Sequence, residues 1–241
     1  MKLGFIGTGT IAAAIVTGLA PERHQITVSE RSRTHAARLS QAFDCVSVAA
    51  NQDVIDRSDI VFLGLLAAHA PAVLASLRFR KGQRVISFIA EMPLDEIATR
   101  VAPAKAAAIM LPFPAIAQGG SPILTLGDVA LVREIFSPAN HVFALQSVGE
   151  LNAYLCAQAV LSPALLMIAS TADWLERQGV ERAQGESFLR ALIGANLQAG
   201  PCRETLEALS TPGGYNLRLR QSLEQAGLEE SLRQGLDALR K

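Results

Sequence analysis

From residue 1 to about 146, short apolar runs alternate with helical patterns, and the runs at 2–6, 25–29, 45–48, 60–65, 84–88 and 107–110 read as strands. They are rich in valine, isoleucine and leucine and lack strict polar alternation, which suits strands covered by helices on both faces of a parallel sheet. Two further apolar segments, 122–126 and 141–145, flank a helical stretch and extend that sheet. Past about Gly149 the strand-like runs stop. Leu151, Tyr154, Leu155, Gln158, Ser162, Leu165, Leu166 and Ala169 fall on one stripe at helical spacing, which predicts one long helix ending at Gly179 with a kink at Pro163. Further helices are predicted over 181–199, 203–209, 215–226 and 229–240.

The expected fold is therefore α/β, a Rossmann-type doubly wound sheet over residues 1–148 followed by an all-α domain over residues 149–241. A helix whose stripe is this broadly apolar needs a large apolar surface to cover it. A homodimer through the helical domain is expected.

One turn carries a chemical signal. Gly7-Thr8-Gly9-Thr10-Ile11-Ala12 has the form G-x-G-x-x-A, with a strand before it and a helix after it. In that context the first glycine permits a tight turn, the second lets the backbone approach a diphosphate, and the small Ala12 lets helix and strand pack closely. The helix start near Thr10 and Ile11 offers free N–H groups and a partial positive charge to the phosphates. The second strand runs out at Ser29-Glu30-Arg31-Ser32-Arg33, where the adenosine ribose of a dinucleotide is expected. Glu30 favours a free 2′-hydroxyl, whereas Ser29, Arg31, Ser32 and Arg33 favour a 2′-phosphate. The balance leans to NADP with NAD as the other option, and the same charges also read as solvated helix-start residues. Asn51, at a helix start, is assigned to the adenosine side of the cofactor or to a helix cap.

Composition narrows the partners. The 241 residues are half hydrophobic, and 22 lysines and arginines balance 22 aspartates and glutamates, which removes the positive field that nucleic acid or an anionic membrane usually requires. No charge-free apolar stretch of about twenty residues is read here, and the opening Met1-Lys2-Leu3-Gly4-Phe5-Ile6-Gly7 is unlike a signal peptide, so the cytoplasm is the expected location, without membrane or nucleic-acid partners. The three cysteines, Cys45, Cys156 and Cys202, read as buried free thiols, and with four scattered histidines no metal site is expected.

The opening Lys2-Leu3-Gly4-Phe5-Ile6-Gly7-Thr8-Gly9-Thr10-Ile11-Ala12 resembles the start of the pyrroline-5-carboxylate reductases, and so do, in order, Asn51, Ser58-Asp59-Ile60-Val61-Phe62-Leu63-Gly64, Ile86-Ser87-Phe88-Ile89-Ala90 and Ser210-Thr211-Pro212-Gly213-Gly214. The resemblance implies a Rossmann domain, a helical dimerisation domain and reduction of a cyclic imine carboxylate with NADPH. It also points out where this chain departs. The family's Val-Lys-Pro becomes Leu65-Leu66-Ala67, its Met-Pro-Asn-Thr-Pro becomes Met110-Leu111-Pro112-Phe113-Pro114, and its Ser-Gly-Ser-Gly-Pro-Ala becomes Ala159-Val160-Leu161-Ser162-Pro163-Ala164. Pro-Gly-Gly-Thr-Thr becomes Pro212-Gly213-Gly214-Tyr215-Asn216, and Glu91 stands where the family has glycine. Together the changes remove polar anchors for a small carboxylate and imply a more apolar pocket.

By that resemblance Leu65 is expected at the cofactor, Tyr215 as the first candidate for proton donation or polar contact, and Asn216 and Ser162 as hydrogen-bond partners of a small-molecule substrate. His69, after the fourth strand, is a further titratable candidate or a plain helix-start residue. The expected activity is NAD(P)H-dependent reduction of pyrroline-5-carboxylate or a bulkier, more apolar imine. A cofactor-binding regulatory protein without turnover, and a dehydrogenase of a different small acid or ketone, are the alternatives.

Overall fold

The computed structural model describes every residue except Arg23, Ser32 and Lys241 and divides into two units, Met1–Leu151 and Asn152–Lys241. In the first, the strands are β1 (Lys2–Ile6), β2 (Gln25–Ser29), β3 (Val46–Ala49), β4 (Ile60–Leu63), β5 (Arg84–Ser87), β6 (Lys105–Pro112), β7 (Pro122–Gly127) and β8 (His141–Leu145). They form one sheet in the order β3-β2-β1-β4-β5-β6-β7-β8. β1 to β6 are mutually parallel; β7 pairs antiparallel with β6, and β8 runs parallel to β7. The connecting helices are α1 (Thr10–Leu19), α2 (Arg33–Ala42), α3 (Asn51–Asp56), α4 (Ala70–Ala75), α5 (Leu94–Val101) and α6 (Val129–Phe136).

The order 3-2-1-4-5-6 is the doubly wound one, and it opens a crevice between β1 and β4 where the winding reverses direction. Both faces of the central strands are covered, so Leu3, Phe5 and Ile6 of β1 and all four residues of β4 are buried. Aromatic rings tie the two strands together: Phe62 stacks on Phe5 at 4.6 Å and on Phe88 at 5.6 Å, and meets Phe136 edge-on at 6.2 Å.

β4 stops at Leu63 rather than at residue 65, because its partner β1 ends at Ile6 and turns away at Gly7. Gly64 still donates to the Ile6 carbonyl at 2.8 Å, and Leu65 lies beyond the sheet. The cysteines are free, but not buried as expected: Cys45 and Cys156 are half-buried and Cys202 is exposed.

The helical region begins with α7 (Val148–Ala157), which carries the unit boundary, and a 3-10 turn over Gln158–Val160. Then come α8 (Leu161–Arg177), α9 (Arg182–Ala199), α10 (Cys202–Ala208), α11 (Tyr215–Gln225) and α12 (Leu228–Leu239). The single long helix expected from the stripe is thus two. The irregularity precedes Pro163 instead of sitting on it, since a proline in the first turn of α8 has no intrahelical N–H bond to lose. At the other end, Gly179 adopts a positive φ of 88°, and Val180 N–H returns to the Leu175 carbonyl at 3.1 Å, which ends α8 where the sequence placed its stop. The Glu181 carboxylate then caps α9, accepting from the N–H groups of Ala183 and Gln184, and these bonds hold its pKa below the usual carboxylate value.

A second correction concerns hydrophobic length. Residues 151–172 carry no charged side chain, and Val148–Arg177 is long and apolar enough, by length and composition, to cross a membrane. Between α8 and α9, Gly185 allows the Leu175 side chain to lie against the α9 backbone, and Arg182 bridges to Asp173 at 2.9 Å. Yet Ala172 is the one apolar residue of the second unit that is buried, among the described residues. Leu161, Leu165, Leu166, Met167, Trp174 and Phe188 are all exposed.

The Phe5–Phe62–Phe88 stack leads to an expected outcome. Phe62→Ala should lower unfolding free energy by about 3–5 kcal/mol in urea titrations, and a loss below about 1 kcal/mol would remove the stack from the core's energetics.

Candidate functional site

The glycine turn lies at the carboxyl end of β1, at the mouth of the crevice. Gly7 has φ 90°, a conformation that side-chain-bearing residues rarely adopt, and a Cβ there would collide with the Gly64 carbonyl oxygen. The approach is mutual, because a Cβ on Gly64 would stand 2.7 Å from the Gly7 carbonyl oxygen and 3.5 Å from the Ala12 Cβ. Ala12 is buried against this junction, as the motif requires. Gly64 closes one of the stretches quoted for the family resemblance but was given no role there; its signal was a glycine set directly after an apolar strand.

Gly9 is the N-cap of α1 and supplies no side chain to cap it, and a Cβ there would meet nothing within 4 Å. The first backbone bond of the helix runs from Ala13 N–H to the Gly9 carbonyl at 2.9 Å. The N–H groups of Gly9, Thr10, Ile11 and Ala12 therefore find no acceptor among the described residues. An anionic diphosphate fits this cradle in charge, in donor count and in the space that the glycine leaves.

Two residues expected to touch the cofactor do something else. Ser29 is fully buried; its hydroxyl accepts the Gly7 N–H at 2.9 Å, and its carbonyl accepts the Thr8 hydroxyl at 2.8 Å. Thr8 is buried as well, so both side chains face inward and pin the turn to the end of β2. They position the loop and do not reach its open side. A serine at a strand end followed by arginines reads as a phosphate ligand in sequence, and only the direction of its side chain distinguishes the two roles.

Beyond β2, Glu30, Arg31, Arg33 and Asn51 line a surface hollow of about 390 Å³. The structure thus brings Asn51, from the start of α3, to the arginines at the end of β2. Asn51 is not a cap, since Ala50 occupies the cap position. Ser32, named with these residues in the sequence, lies outside the described residues. Arg31 and Arg33 outnumber Glu30, so the hollow is net cationic and suited to a phosphate.

On the other side of the turn the site is apolar. Leu65 is half-buried with its side chain near Gly7, while Leu66 is 72 % exposed at the same strand end. Phe88 follows β5 and Phe113 follows β6, both half-buried. His69 is exposed at the start of α4 and caps no N–H group with its side chain.

The three residues assigned to substrate lie in the second unit. Ser162 is in the first turn of α8, and Tyr215 and Asn216 open α11 directly after the Thr211-Pro212-Gly213-Gly214 turn. Gly213 takes a positive φ of 75°, and Gly214 N–H bonds the Thr211 carbonyl at 2.9 Å, so the turn fixes where α11 begins. Tyr215 is 89 % exposed, and Ser162 and Asn216 are also exposed. Their hydroxyl and amide groups are available to a ligand.

Two substitutions probe the turn. Gly64→Ala should weaken NADP+ binding at least about tenfold in a fluorescence titration, because the new methyl pushes against the Gly7 backbone. Ser29→Ala should cost about 1–2 kcal/mol of stability while weakening binding less than Gly64→Ala, and the reverse order would contradict the positioning role.

Residues 2–91 match the profile of a family described as NADP oxidoreductase, coenzyme F420-dependent. No curated protein sequence matches the chain. Among solved structures, a 1-pyrroline-5-carboxylate reductase from the human pathogen Streptococcus pyogenes is 24% identical, with a TM-score of 0.84 over 99% of this chain and 96% of that one. A Plasmodium falciparum pyrroline carboxylate reductase with NADP bound is 16% identical, with a TM-score of 0.81 over 99% of this chain and 95% of that one. A reductive aminase from Aspergillus terreus, in complex with NADPH and ethyl-5-oxohexanoate, aligns at 18% identity and a TM-score of 0.61 over 89% of this chain and 78% of that one. The chain has the fold of the pyrroline-5-carboxylate reductases over nearly its whole length.

Proposed function

We propose that the protein is an NADPH-dependent reductase of C=N bonds, acting on a cyclic imine such as pyrroline-5-carboxylate or a bulkier, more apolar relative. The observation that carries this reading is the row of unpaired N–H groups from Gly9 to Ala12, presented at the switch point of a 3-2-1-4-5-6 sheet. Its resemblance in fold to structures of pyrroline-5-carboxylate reductases and a reductive aminase, two of the three with NADP or NADPH bound, agrees with that use.

When bound, reduced nicotinamide supplies the hydride; the chain's part is to hold, orient and shield. The Gly9 to Ala12 amides hold the diphosphate, with Gly7 and Gly64 letting the backbone come close. Arg31, Arg33 and Asn51 take the 2′-phosphate in their hollow. Leu65, Leu66 and Phe88 give the reaction end an apolar wall that keeps water from it. Tyr215 serves as proton donor to the substrate nitrogen, with Asn216 and Ser162 as polar contacts.

The second unit works as a dimerisation domain. Among its described residues the second unit buries a single apolar side chain, too little for a core of its own, and the apolar residues exposed on α8 are joined by Phe188, Leu192 and Leu197 of α9. That spread over two helices favours a second copy of the chain over a bilayer, which would cover only the Val148–Arg177 segment. The free cysteines fit a reducing cytoplasm.

NADPH oxidation followed with a panel of cyclic imines tests the activity. Turnover of at least one imine is expected, and tight NADPH binding without turnover of any would favour the regulatory alternative. Arg31→Ala combined with Arg33→Ala should weaken NADPH about tenfold or more and leave NADH nearly unchanged. Tyr215→Phe should reduce turnover about tenfold to a hundredfold at unaltered NADPH affinity, and an unchanged rate would remove the phenol from the reaction. Light scattering should give twice the 25.6 kDa chain mass at micromolar concentration, and a monomer would overturn the dimer.

A further inference from the structure

We infer that the reaction end of the site selects a cationic nitrogen on a substrate without a carboxylate, and that Glu91 is the residue that makes this selection. The inference rests on the reductase reading above and narrows its substrate class.

Its first support is where the chain holds Glu91. β5 ends at Ser87, whose hydroxyl accepts the Ile89 N–H at 3.1 Å and turns the backbone. Ile89 and Met92 are both 3% exposed and are joined by a backbone bond, so they anchor the two sides of a short turn. Ala90 and Glu91 form its exposed tip. This tip sits at the carboxyl end of β5, next in the sheet to β4 and in the half of the fold that takes the nicotinamide in a doubly wound sheet.

The second support is the charge around that tip. Segments 64–77, 85–99 and 106–121 follow from or run along β4, β5 and β6, and they contain no lysine or arginine. Apart from Glu91, their acids are Asp95 and Glu96 in the first turn of α5. Glu96 is paired with Arg100 at 2.7 Å, and Asp95 accepts the Glu96 N–H at 2.9 Å. Glu91 has no ion pair or hydrogen bond among the described residues, so its charge faces solvent uncompensated. The two ends of the nucleotide site therefore differ in sign, cationic at Arg31 and Arg33 and anionic at Glu91.

Such a field acts on the substrate in a definite direction. A carboxylate near a C=N group favours its protonated, iminium form, which is the better hydride acceptor, and the same charge repels a substrate carboxylate. In the reduction the iminium carbon gains a hydride with its electron pair while the C=N π pair moves onto nitrogen. The nitrogen's proton is the one that Tyr215 donates in forming the iminium; hydride addition then leaves a neutral amine, solvent returns a proton to the phenolate, and the reduced nicotinamide is oxidised. These loops of the first unit offer a carboxylate no lysine or arginine, and small cyclic iminium ions bearing apolar substituents are the class that suits this end of the site.

Calorimetric titration of the full-length protein in saturating NADP+ tests this with two probes, pyrrolidine, a cation at neutral pH, and proline, which adds a carboxylate to the same ring. Pyrrolidine should bind about fivefold more tightly than proline, and its affinity should fall as salt rises. Glu91→Gln, which keeps the shape and removes the charge, should weaken pyrrolidine about fivefold and strengthen proline. The ratio of kcat/KM for 1-pyrroline over pyrroline-5-carboxylate should fall in step. Tighter proline binding in the unaltered protein, or a Glu91→Gln change that moves neither probe, overturns the inference while the reductase reading stands. Failure to retain NADP+ at all would overturn that reading, and this inference with it.

Discussion

The closest constraint in the first unit is the meeting of two backbones where the sheet reverses its winding. Gly7 and Gly64 face each other with no room for a Cβ on either, and Ala12 closes the gap from the first turn of α1. Where β1 and β4 end together, the amides of Gly9 to Ala12 at the start of α1 have no acceptor among the described residues. Ser29 and Thr8 lock that arrangement from the β2 side by satisfying the polar groups that the tight turn would otherwise bury unpaired. The turn is thus rigid where it meets the sheet and open where it meets solvent. That combination is what an anion-binding loop requires, since donors already held in place lose little freedom when a ligand arrives.

From this point the two sides of the crevice diverge in chemistry. Towards β2 and α3 lie two arginines, a glutamate and an asparagine around a surface hollow. Towards β4 and β5 lie Leu65, Leu66 and Phe88, with Glu91 at the tip of its anchored turn. A dinucleotide has a matching asymmetry, anionic at the phosphorylated ribose and without negative charge at the nicotinamide ring, which is neutral when reduced and cationic when oxidised. The charge pattern of the loops follows the expected ligand without help from the net charge of the chain, which is zero.

The second unit poses the opposite problem. Its helices are individually well made, with Glu181 capping α9 and Gly179 ending α8, yet their apolar sides lie open. Local signals determine where a helix starts and stops, but burial of its face is a matter of what packs upon it. A chain with so many exposed leucines on α8 and α9 is understandable when a second copy covers them, as proposed.

The sequence by itself determined the alternation of strands and helices, the doubly wound class, the phosphate-type turn and the change to helices near residue 149. These depend on periodicity and on glycine positions, which are local properties of the chain. It also showed the arginines and Asn51, although Arg33 and Asn51 lie 18 positions apart and only the β2–β3 pairing brings them to one hollow. Side-chain direction was not legible: Ser29 and Thr8 read as ligand contacts until tertiary packing turned them inward. Nor was the role of Gly64 legible, because it lies 57 positions from Gly7 and matters only through a contact between strands. The end of β4 at Leu63 was likewise decided by its neighbour, since a strand stops where its backbone partner does.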